Sequence, residues 1–195
     1  MVAMLASDDT LATSTNLEIQ QNLIRSIAAD IVARSGIAKE ESIAVRFLPI
    51  EDGWIIENAF LKSLQLFGNT VSIGQENHSQ SILIEVASAE VNVQYSDMHH
   101  DGFLGTKKVK RTLSARLDCK IIEGKSGVVR LSDTFQRSIS DTVQVSDIEH
   151  LESTGIKSTT GTLPSETFLD RIVEPFIIIG TTGVVVYLLF NIRSS

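Results

Sequence analysis

One cysteine, Cys119, and three prolines in 195 residues exclude an intrachain disulfide framework and a cysteine-based zinc site. Aromatic residues reach only 6%, and cations are outnumbered by anions, 17 to 24. The resulting formal charge of −7 argues against nucleic acid as a partner, because a polyanion gains nothing from a net anion. GxGxxG, a Walker loop, GxSxG and HExxH are all missing. No cofactor and no catalytic residues are implied, and the chain is expected to be non-enzymatic. Charged residues at 21% and apolar residues at 43% are ordinary values for a folded domain.

What is there is one long oily run. Phe176 to Ile192 reads FIIIGTTGVVVYLLFNI, 17 positions without a charge. As a helix it would span roughly 26 Å, slightly less than a hydrocarbon core of about 30 Å. Arg193 can snorkel, Tyr187 can sit toward an interface, and Pro175 suits a first helical turn. No face of the segment is polar, unlike a soluble amphipathic helix. A single transmembrane helix over 175–193 is therefore expected. Its lipid-facing residues would be Phe176, Ile177, Ile178, Ile179, Val184, Val185, Val186, Tyr187, Leu188, Leu189 and Phe190. The bilayer is the first partner this implies.

Residues 7–15 are polar and loose in composition, and residues 1–15 are expected to be a flexible N-terminus. Met4-Leu5-Ala6 before Ser7-Asp8-Asp9 reads as the remnant of a signal peptide and its cleavage junction. Taken literally, the same start describes a cytosolic tail-anchored adaptor. The balance of the two places the body on the periplasmic side, with the cytoplasmic side still open.

Between these ends, residues 16–142 read as an α+β domain. Ile19, Leu23, Ile24, Ile27, Ala28, Ile31 and Val32 recur at helical spacing, with Thr15 or Asn16 as cap and Gly36 as stop. A strand over 42–48 follows, then a helix over 54–67 and a strand over 69–74. Beyond residue 80 the period becomes two. Ile82, Ile84 and Val86 share one parity and Val91, Val93 and Tyr95 the other, so a bulge or break is predicted at Ala87-Ser88. Leu113, Ala115, Leu117, Cys119 and Ile121 face inward, and EGKSG (123–127) turns the chain into a last strand with Val129, Leu131 and Phe135 inward. Asp133 and Arg137 share that inward parity, which suits an edge strand. The expectation is two helices packed on one face of a largely antiparallel sheet, in the order α-β-α-β-β-β-β. Residues 143–174 then form a polar tether, or a partly helical stretch, leading to the membrane helix.

The pieces SLQLFGNTVSI (63–73), ILIEVASAEVNVQY (82–95) and LSARLDCKIIEGKSGVVRLSDTFQRSIS (113–140) resemble, in their order, bacterial envelope α/β domains of the curli-secretion-channel and TolB amino-terminal kind. The resemblance is one of pattern across roughly residues 17–140, without the long barrel hairpins or the lipidation cysteine of the curli channel. It implies an envelope binding or assembly role with protein partners, and carries no catalytic residue.

Two clusters could carry chemistry. Lys107, Lys108, Lys110 and Arg111 form a candidate patch for lipid phosphates or a partner, or else a solvated strand end. Asp97, His99, His100 and Asp101, with Glu76 and His78 elsewhere, could serve a membrane-tethered metal-dependent hydrolase, although adjacent histidines on a strand diverge. Trp54 reads as a core or hinge anchor, with a binding-face role as the alternative, and Cys119 as a small core residue.

Overall fold

The computed structural model describes residues 14–49, 52–74, 82–101 and 105–165. The chain divides into a unit of residues 1–162 and a second of 163–195, and the second is described only at 163–165.

Helix α1 (Asn16–Ser35) begins with a capping box. The Thr15 hydroxyl accepts from the Glu18 amide at 3.3 Å, and the Glu18 carboxylate accepts from the Thr15 amide at 3.0 Å. It stops at Gly36, whose φ of 67° is a left-handed cap. Strand β1 (Ser42–Phe47), helix α2 (Gly53–Leu66) and strand β2 (Thr70–Ile73) follow. Three long strands complete the sheet: β3 (Ile82–His100), β4 (Lys107–Glu123) and β5 (Val129–Gln144). After them come a 3₁₀ turn over 145–147, the one-turn helix α3 (Ile148–Leu151) and a 3₁₀ turn over 157–159.

The result is three helices on a five-stranded mixed sheet ordered β2-β1-β3-β4-β5. The order of the first seven elements is the one the sequence predicts, with the segments around Ile82–Val86 and Val91–Tyr95 in one strand. One feature differs: β1 runs parallel to both β2 and β3, whereas β3, β4 and β5 are antiparallel neighbours. The parallel half follows from α2, which carries the chain back along the sheet so that β2 starts at the same end as β1. Residue alternation holds no record of strand direction.

Within β3 the parity switch is a bulge. Val86 pairs with Cys119 and Ser88 with Asp118, leaving Ala87 as the extra residue. Ile82, Ile84 and Val86 are buried before it, and Val93 and Tyr95 after it. A second irregularity between Ser96 and His99, with Asp97 at φ 52°, turns Met98 back inward against the core.

The main core lies where α1 and α2 cover the sheet. Ile24, Ile27 and Ile31 of α1 meet Ile56, Phe60 and Leu64 of α2 over Val45, Ile84, Leu117 and Ile121. Phe60 also stands edge-on to Phe47, ring centroids 5.8 Å apart. A smaller cluster at the far end joins Val93, Tyr95, Val109, Leu113, Val143, Ile148 and Leu151. Residues 143–159, which composition suggests as a polar tether or partly helical stretch, thus bury Val143, Ile148, Leu151 and Thr159.

No helix among the described residues is long and apolar enough to cross a membrane. The expected transmembrane helix over 175–193 and its lipid-facing residues, Phe176 to Phe190, lie outside the described residues.

Candidate partner-binding surface

The helices cover one face of the sheet, and the other presents a polar ladder. On β4, Asp118 accepts from Ser88 of β3 and Thr134 of β5, both at 2.6 Å, tying three strands together. The Ser88 hydrogen bond, then that from Thr134, holds the Asp118 carboxyl below its ordinary value. Glu85 pairs with Arg46 on one side and with Lys120, at 3.8 Å, on the other. Thr112 and Ser140 hydroxyls meet at 2.9 Å. Cross-strand contacts of this kind suit a hydrated face.

The edge is different. β5 is the last strand of the sheet, 16 residues long, and among the described residues no strand pairs with its outer side. Val129 and Ile139 are about half exposed along it (52% and 49%), as is Val128 just before it (56%). The charges that break its inward alternation are both held by α1. Asp133 pairs with Arg34 at 2.5 Å, and Arg137 donates to Asp30 at 2.6 and 2.9 Å. Arg34 also lies over the Phe135 ring, 5.0 Å from its centroid. The helix-facing row of β5 therefore reads Leu131, Asp133, Phe135, Arg137, Ile139.

The basic cluster is divided by the strand that carries it. Lys108 pairs with Asp101 at 2.5 Å, which lowers the Asp101 carboxyl pKa, and Lys110 is exposed. Arg111, expected on the same surface, is instead fully buried. It shares parity with Val109 and Leu113, so alternation sends it into the smaller cluster. Lys108 and Lys110 share the opposite parity, so the four cations do not form one surface patch.

Inside, Arg111 is satisfied on three sides. Its guanidinium makes a two-pronged ion pair with Asp141, whose Oδ1 accepts from Nε at 2.9 Å. Nη1 donates to the Asn16 side chain at 2.8 Å and to the Ser14 carbonyl at 3.0 Å. Asn16 passes the connection on, donating to the Thr159 carbonyl at 2.8 Å and the Tyr95 hydroxyl at 3.1 Å. Burial is the main reason the Tyr95 phenol is pushed above its ordinary pKa. Gly161 closes the arrangement: a side chain there would begin 2.8 Å from the Tyr95 ring, so only glycine lets the backbone lie flat on it. The start of α1, three strands and the segment after α3 are joined through one cation.

The histidine cluster does not converge. His99 and His100 sit exposed on adjacent positions at the end of β3, and the His99 ring Nδ1 lies 2.9 Å from the Asp97 carbonyl. Asp101 is engaged by Lys108, and among the described residues no three His, Cys, Asp or Glu groups could hold a metal ion. Glu76 and His78 lie outside the described residues. Trp54, expected as a core or hinge anchor, is 52% exposed on the first turn of α2. Cys119 is buried, and desolvation pushes its thiol up to about 12, far from a reactive thiolate.

No protein-family model and no curated protein matches the chain. Solved structures resemble it weakly. A neuraminyllactose-binding hemagglutinin homolog from Helicobacter pylori is 19% identical, over 63% of this chain and 79% of that one, with a TM-score of 0.35. The LpoB C-terminal domain from Salmonella enterica is 8% identical, over 60% and 97%, at 0.35. A minor lipoprotein from Acinetobacter baumannii is 12% identical, over 56% and 69%, also at 0.35. Bacterial envelope lipoproteins are therefore among its structural neighbours, weakly similar in fold, and a likeness at this level assigns no activity, substrate or partner.

Proposed function

We propose that the protein is a non-enzymatic binding or assembly module of the bacterial cell envelope, held at a membrane by one helix over 175–193. The observation that carries the binding role is β5, a 16-residue strand that no strand among the described residues pairs on its outer side, with Val129 and Ile139 about half exposed. Main-chain groups on such an edge offer a template to another protein segment. The anchor rests on the 17 uncharged positions from Phe176 to Ile192. In this reading the body lies on the periplasmic side.

Alkaline extraction of membranes from cells making the full chain tests the anchor. The protein is expected in the pellet. Val185→Arg with Leu189→Arg should move it to the supernatant, since each arginine at mid-bilayer costs roughly 2.5–3.5 kcal/mol on the insertion scale. Recovery of the unaltered chain in the supernatant refutes the anchor. Protease added outside cells with a permeabilised outer membrane should digest the body; full protection would place it in the cytosol.

A further inference from the structure

β5 contains no lysine and no proline, and after one irregularity between Val129 and Leu131 it pairs with β4 without a break to Gln144. Its inward charges would normally discourage pairing, yet they are of opposite sign and flank Phe135 symmetrically. An antiparallel copy of β5 centred on Phe135 sets Asp133 opposite Arg137 twice, Leu131 opposite Ile139 twice, and Phe135 opposite itself. Sliding one copy by two residues either way, which moves the centre by one, sets Asp133 against Phe135 or Ile139, and Arg137 against Leu131 or Phe135. A centre on Asp133 or Arg137 opposes like charges. Complementarity therefore selects one register and one partner.

We propose that β5 is a homodimer interface, at which two copies of this chain join their sheets antiparallel about a two-fold axis at Phe135. The helices accommodate this. α1 packs over β4 and β5 and therefore lies about one strand spacing from the axis, bringing the two copies of α1 roughly 10 Å apart, an ordinary packing distance. The stripe that would face across is small: Ser26 and Ala33 are exposed one turn either side of Asp30. Asp30 and Arg34, already paired with Arg137 and Asp133, would extend the crossed ion pairs into one network. The dimer does not depend on which side of the membrane the body occupies.

The test uses the full chain in detergent. Scattering corrected for detergent should give twice the chain mass of 21.3 kDa. Ser132 and Ser138 are exposed, and the proposed register sets each opposite the other in the second copy. Within one chain they are about 20 Å apart along the strand, beyond the roughly 7 Å limit for a disulfide. Ser132→Cys with Ser138→Cys should form a reducible covalent dimer at least ten times more efficiently than either single variant. The buried Cys119 thiol does not compete. Ile139→Lys should weaken the dimer about tenfold while leaving circular dichroism unchanged. A monomer at 100 µM overturns the proposal, and so does equal crosslinking by the single and double variants.

Discussion

The two clusters on the inner face of the sheet are built on opposite principles. Under α1 and α2 the filling is aliphatic and aromatic, and any one side chain is held by many weak contacts. At the far end, around Tyr95 and Leu113, the apolar cluster is small and closes on the buried Arg111 guanidinium. Burial area holds the first region together, whereas the second depends on a few directed bonds whose loss leaves polar groups stranded. The contrast teaches why the chain can continue past the sheet at all: residues 143–159 have too few apolar side chains to anchor themselves, and the Arg111–Asn16–Thr159 connection supplies the rest.

The contrast can be broken from either side. Phe60→Ala should have the largest effect, about 3–5 kcal/mol of stability lost, read as a global fall in the denaturant midpoint. Arg111→Met should cost about 3 kcal/mol, because Asn16, the Ser14 carbonyl and Asp141 lose their donor. Its signature is local: hydrogen exchange should speed up at 153–160 before the rest of the body, which Phe60→Ala should not cause. Uniform exchange in both variants would show that the two clusters are one cooperative unit. Gly161→Ala should loosen the same segment by about 1–2 kcal/mol through collision with the Tyr95 ring. Arg137→Ala removes a pair whose side chains are 52% and 35% exposed, and monomer stability should change by at most about 1 kcal/mol.

The smallest effect concerns the outer face. Asp118 has a depressed pKa in the folded protein, so its contribution to stability is present above the unfolded value of 3.8 and disappears as pH falls through the folded one. Ser88→Ala removes the first cause of that depression. Carboxyl titration by NMR should then show the Asp118 pKa rising toward 3.8, with less stability lost on the acid side.

Several parts of the fold were legible because short-range forces decide them. The Thr15 cap, the Gly36 stop, the inward row from Leu113 to Ile121 and the hairpin after Glu123 each follow from neighbours a few residues apart. So did the bulge at Ala87, which alternation reveals as a change of parity. Arg111 was legible too, through the parity it shares with Val109 and Leu113, but its charge pointed toward the surface. Only the Asp141 and Asn16 partners, 30 and 95 positions away, make burial affordable. The irregular pair Asp133 and Arg137 could be seen as an oddity of an edge strand, and their holders on α1 could not. The Trp54 side chain was misplaced because helical spacing does not say which face a terminal turn turns outward.

By itself the sequence determined where elements start and stop, which side of each long strand is apolar, and that 17 consecutive positions near the end carry no charge. These depend on local hydrogen bonding, side-chain alternation and residue type. Tertiary structure alone decided that β1 runs parallel to its neighbours, that Asp141 and Asn16 surround the Arg111 guanidinium, and that α1 holds Asp133 and Arg137 of β5. Each of those outcomes is set by contacts between residues far apart in the chain, whose energies no local pattern records.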